Sequence, residues 1–152
     1  MRSWHRRTFN TLSVVVAATG ILYFWMKDML VTDDPLAVVN HPLQPLTLDL
    51  HLLSAPALLV IFGIVLNAHV ASRLVGRAPL RRSGLASLIT FAAMALTGYL
   101  LPVIVNERAH VVMRWLHIGS GLVFATSYCV HLMSGLALWR RVEVGPRSSR
   151  TA

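Results

Sequence analysis

Four long runs free of charged side chains constrain this chain more than any other feature. They cover about Thr8–Met26, Leu50–Ser72, Ser83–Val105 and Trp115–Trp139. Each is near or above the ~20 residues that an α-helix needs to cross ~30 Å of hydrocarbon. Backbone groups must be satisfied internally in lipid, so such runs fold as helices. The expectation is an all-α, four-helix transmembrane bundle forming a single integral membrane domain over 1–152. Composition agrees: 55% of residues are hydrophobic and 13% charged, against roughly 25% charged for an ordinary soluble domain. Little sequence is left for a soluble catalytic domain, so chemistry is expected within the bundle or on a partner.

Arginine placement sets the expected orientation. The N-terminal tail (Arg2, Arg6, Arg7), the second connection (Arg73, Arg77, Arg81, Arg82) and the C-terminal tail (Arg140, Arg141, Arg147, Arg150) hold eleven of the fourteen basic residues. By the positive-inside rule these three segments are cytoplasmic, giving an N-in/C-in topology. The formal charge of +8 then reflects topology and anionic lipid headgroups rather than nucleic acid. Met1–Met26 lacks a small-x-small cleavage site and reads as an uncleaved first span, its Tyr23-Phe24-Trp25 end suited to the headgroup level.

The outer loop Lys27–Asp49 carries Pro35, Pro42 and Pro45, which discourage a long helix. His41 in this loop reads as an exposed loop histidine. The third span has neither histidine nor charge, and its Ala92, Ala93, Ala95 and Gly98 suit close helix packing as scaffold. The turn Pro102–Arg114 gathers Asn106, Glu107, Arg108 and His110 on the outer side.

The chemistry-bearing feature is the histidines. His117 and His131 lie fourteen residues apart in the fourth span, which brings both to within about 40° on one face, roughly 21 Å apart along the axis. Gly121 and Gly135 each follow one of them by four residues, a gap through which a flat ligand approaches the backbone. In the second span His51 and His69 are eighteen residues apart, five whole turns on one stripe, with Pro56 able to bend the helix between them. Both spans run from outside to inside, so His51 and His117 form an outer pair and His69 and His131 an inner pair. Neutral imidazole is a good axial ligand for haem iron, and two levels imply two haems. The eighteen- and fourteen-residue separations differ by about 6 Å of rise, which leaves His110 or His41 as alternatives for an outer ligand. A single histidine in a membrane helix can be purely structural at about 0.6 kcal/mol; zinc binding and a proton relay are further readings.

The fourteen-residue spacing of His117 and His131, the glycines after them, the second two-histidine helix and Leu96-Thr97-Gly98-Tyr99 resemble the bacterial di-haem transmembrane cytochromes b. The likeness, over about residues 8–140, is to small four-helix members and to membrane subunits of formate dehydrogenases and hydrogenases. The resemblance implies haem b, a bacterial cytoplasmic (inner) membrane location and quinone-linked electron transfer. The function expected on this basis is an electron-transfer subunit passing electrons between the quinone pool and a redox protein on the outer face, or other subunits of a complex. The alternative is a non-redox assembly or anchoring subunit with structural or metal-binding histidines. Haem propionates seek arginine at the membrane boundary; the candidates are Arg73 for the inner haem and Arg114 for the outer. Quinone chemistry needs a proton-exchanging group, and His41, Glu107 and His110 form the candidate site.

No Cys-x-x-Cys-His, glycine-rich nucleotide loop or paired-cysteine metal site occurs. Cys129 is expected to be a small buried apolar residue.

Overall fold

The computed structural model describes residues 3–32, 37, 39–67 and 81–144, with the side chains of residues 3, 81, 83 and 138–144 excepted. The described chain is all-α: α1 (Ser3–Phe24), a π-helical turn (Trp25–Met29), α2 (Gln44–Val65), α3 (Arg81–Leu100) and α4 (Glu107–Val144). It falls into two compact units, Met1–Val75 and Gly76–Ala152. Each is a helical hairpin: α1 packs on α2 in the first, α3 on α4 in the second.

Three helical segments are long and apolar enough to cross a membrane, Trp4–Met29, Gln44–Val65 and Glu107–Ala137. Surface composition fits that solvent. Val14, Leu53, Val60 and Met133 are each at least two-thirds exposed, while Ser13, Gln44, Thr47 and Ser87 are buried. Apolar side chains outward and polar ones inward is the arrangement that hydrocarbon rewards. The chain is a membrane protein on these grounds.

The third expected span is shorter than its sequence suggested. Its helix, Arg81–Leu100, stops before the expected end at Val105. Pro102 disfavours helix at the residue before it, and the chain turns at 101–103 instead of continuing to Val105. The fourth helix is longer than expected. Asn106 caps it, its Oδ1 accepting the Ala109 N–H at 3.0 Å, and Glu107 complements the positive end of the helix dipole. Most of the expected outer turn Pro102–Arg114 is therefore the start of α4. Similarly, α2 begins six residues before the apolar run, with Pro45 in its first turn, where a missing N–H costs nothing. It runs through Pro56 without interruption.

Candidate histidine sites in two hairpins

His51 and His117 occupy equivalent seats. In the first hairpin, His51 Nδ1–H donates to the carbonyl of Val16 at 3.0 Å. In the second, His117 Nδ1–H donates to the carbonyl of Met94 at 2.9 Å. Each carbonyl belongs to the residue four before a glycine, Gly20 or Gly98. A helical side chain covers the turn N-terminal to its own Cα, so a glycine there uncovers the carbonyl to a donor from the side. The rings fill the notch closely. A Cβ added at Gly20 would lie 2.9 Å from His51 Cε1, and one added at Gly98 would lie 2.8 Å from His117 Cε1.

The likeness extends along both helices. A threonine precedes each glycine, and Thr19 and Thr97 bring Oγ1 to 3.2 and 3.4 Å from the respective Nδ1. A serine follows each histidine by three residues, and Ser54 and Ser120 turn their hydroxyls back to the carbonyls of Leu50 and Leu116 at 2.7 Å. Seven residues after each histidine comes a buried apolar side chain, Leu58 or Phe124. Counted from these landmarks, the two hairpins repeat one plan.

A carbonyl oxygen can only accept, so Nδ1 carries the proton in both rings and the imidazole lone pair sits on Nε2. This is the tautomer in which metal-bound histidines are usually found, with the remote N–H held by a carbonyl or carboxylate. The donor chemistry therefore fits an axial haem ligand at both positions.

The notches lie on the neighbouring helix, and this corrects two expectations. Gly98 is the surface against which His117 seats, not scaffold alone. Gly121, expected as an open gap, would bring an added Cβ to 3.7 Å from Met94 Sδ; Gly135 does face open space.

His131 has a looser version of the seat. Gly84 on α3 faces it, with an added Cβ 3.5 Å from Cε1, and Ser83 precedes that glycine as threonine precedes the others. Between the two histidine levels of the second hairpin, Phe124 meets Phe91 edge-on at 5.1 Å and stacks with Tyr128 at 5.6 Å. His69 and Arg73 lie outside the described residues. Val65, fourteen residues after His51 as His131 is after His117, is buried. The first hairpin offers another imidazole on α1: the Nδ1 of His5 is buried with no hydrogen-bond partner among the described residues, beside the Trp4 ring at 3.9 Å. Sequence patterning does not single out His5, because it stands in the basic N-terminal tail, before the charge-free run begins, whereas the helix starts at Ser3.

The remaining candidates sit as follows. Arg114 is half-buried, with its guanidinium over the Trp115 ring at 5.3 Å. Glu107 and His110 are exposed in the first turn of α4. His41 is half-buried rather than exposed, its Nδ1 accepting the Leu43 N–H at 3.1 Å just before α2. Cys129 is exposed rather than buried, because two residues from His131 turn it to about the opposite face of α4. Among the described residues no group of three or more His, Cys, Asp or Glu side chains gathers to hold a metal ion; an axial haem seat requires only one imidazole from a helix pair.

The chain matches no known family model, no curated protein and no solved structure. The class that fold and site define is an all-α membrane protein of two hairpins, each seating a histidine in a threonine-glycine notch.

Proposed function

We propose that this protein is a di-haem b-type membrane cytochrome, the electron-transfer subunit of a quinone-linked oxidoreductase. The observation that carries the reading is the doubled notch: two histidines, one in each hairpin, held by the same remote N–H bond with Nε2 as the basic nitrogen. A bound haem b supplies a one-electron couple. His51 and His117 would hold the outer haem. His131 would hold the inner haem together with His69, or with His5, whose buried Nδ1 has no hydrogen-bond partner among the described residues. Arg114 and Arg73 neutralise propionates at the boundary. Glu107, His110 and His41 exchange protons with quinone at the outer side. The reading includes N-in/C-in topology in a bacterial cytoplasmic membrane, with a redox protein or further subunits on the outer face.

The same Nδ1–H bonds also favour a second reading, in which the histidines pair helices in a non-redox assembly or anchoring subunit. Such bonds stabilise membrane proteins by about 0.6 kcal/mol each. Colour separates the two. Protein purified in detergent from haem-sufficient cells is expected to be red, with a Soret band that shifts on dithionite reduction and two haems per chain. A colourless preparation overturns the cytochrome reading and leaves the structural one.

A further inference from the structure

Among the described residues five threonines in the helices turn their hydroxyls back to the carbonyl four residues earlier: Thr19, Thr47, Thr90 and Thr97 at 2.8 Å and Thr126 at 2.7 Å. For a threonine in an apolar helix this is ordinary behaviour. Only Thr19 and Thr97 stand immediately before a notch glycine, and only for these two does the Oγ1 also lie near a histidine Nδ1. A hydroxyl has one proton. With that proton directed at Val15 or Ala93, the oxygen offers the ring lone pairs alone. Each Nδ1 thus faces a carbonyl, which can only accept, and a threonine oxygen whose own proton is already engaged by its helix backbone. A ring with its proton on Nε2 would set an Nδ1 lone pair against both.

We propose that Thr19 and Thr97 are positioning residues that lock His51 and His117 in the Nδ1–H tautomer, so that both rings are preformed Nε2 ligands before any metal or cofactor arrives. This deepens the cytochrome reading of the same two histidines. The glycine admits the ring, the carbonyl takes the proton's main bond, and the threonine disfavours the other tautomer, which it could serve only by giving up its bond to the helix carbonyl. A second acceptor on the remote N–H also raises the basicity of the ligating nitrogen. Two hairpins with connections of different length keep the same three parts, which separates the device from a chance contact.

The test uses full-length protein labelled with 15N-histidine, made in haem-starved cells and held in detergent micelles. Ring-nitrogen spectra, assigned by His51→Gln and His117→Gln, are expected to show both rings protonated at Nδ1. Thr19→Val should move the His51 signals and leave those of His117, Thr97→Val should do the reverse, and Thr19→Ser and Thr97→Ser should restore the wild-type spectrum. Wild-type rings protonated at Nε2, or valine variants whose own histidine does not move, overturn the proposal. In haem-loaded protein the same valine variants are expected to raise the midpoint potential of one haem, with serine restoring it; unchanged potentials also overturn it. Protein that never takes up haem removes the cytochrome reading, while the nitrogen spectra still decide the tautomer.

Discussion

The two hairpins share the seats of His51 and His117 and differ farther along their helices. Gly20 with His51 and Gly98 with His117 are the same contact built twice, although nineteen residues separate the second pair and thirty-one the first. The extra chain lies in the first connection, where the π-helical turn Trp25–Met29 and the segment leading to Gln44 replace the short turn Leu101–Asn106. One level further in, the second hairpin seats His131 against Gly84, whereas the first has buried Val65 at the matching position of α2. Midway, Phe91 and Phe124 fill the second hairpin while Ser13 and Leu58 are buried in the first. The seat of His51 and His117 is therefore the repeated part of the design, and the packing fourteen residues further along differs between the halves.

The largest expected effect tests that asymmetry. His131→Ala should abolish one haem and leave one per chain by pyridine haemochrome assay. Of His5→Ala and His69→Ala, the one that removes the same haem as His131→Ala identifies the first hairpin's inner ligand. Loss of that haem in His5→Ala alone would make the inner pair a contact of α1 rather than α2. Retention of both haems in both variants would mean that the inner imidazole comes from elsewhere.

A smaller effect compares the notches themselves. Gly20→Ala and Gly98→Ala place a methyl inside the ring's contact distance, and overpacking of this kind costs about 1–3 kcal/mol. Haem retention on dilution and thermal stability should both fall. Gly84→Ala meets His131 at an ordinary 3.5 Å, and its haem content should stay at the wild-type level. Equal loss in all three variants would remove the distinction between tight and loose seats.

Much of the fold and part of the site were legible in the sequence, for a physical reason that also explains the misses. Spans are written in local hydropathy, and histidine faces in helical periodicity, so the apolar helices and the candidates His51, His117 and His131 could be read directly. The notch is a contact between helices. Thr19-Gly20 passes as an unremarkable pair in an apolar run until a partner ring is placed on it, and Gly98 looked like packing for the same reason. Helix ends were misjudged where polar capping extends a helix beyond its hydrocarbon length. Asn106-Glu107 is a start signal that was legible as sequence, yet it was subordinated to hydropathy. His5 was missed by the same bias.

Two further comparisons involve smaller effects. If the outer proton-exchanging groups serve quinone, Glu107→Gln and His110→Ala should slow quinol-driven haem reduction severalfold at unchanged haem content; wild-type rates in both place that site elsewhere. The smallest effect contrasts the buried serines. Ser13 Oγ is buried with no hydrogen-bond partner among the described residues, so Ser13→Ala is expected to leave thermal stability unchanged or raise it slightly. Ser87 Oγ donates to Ser127 Oγ at 3.3 Å, and Ser87→Ala should cost about 0.6 kcal/mol. A destabilised Ser13→Ala protein would show that its hydroxyl is bonded in the membrane.

The proposal that His51 and His117 serve one and the same haem is tested most directly by non-additivity. Haem per chain is measured in His51→Ala, His117→Ala and the double variant, each purified in detergent from haem-sufficient cells. The account predicts the same result in all three, with one haem lost and the inner haem's spectrum and potential intact. Loss of a different haem in each single variant, with both gone from the double, would contradict it.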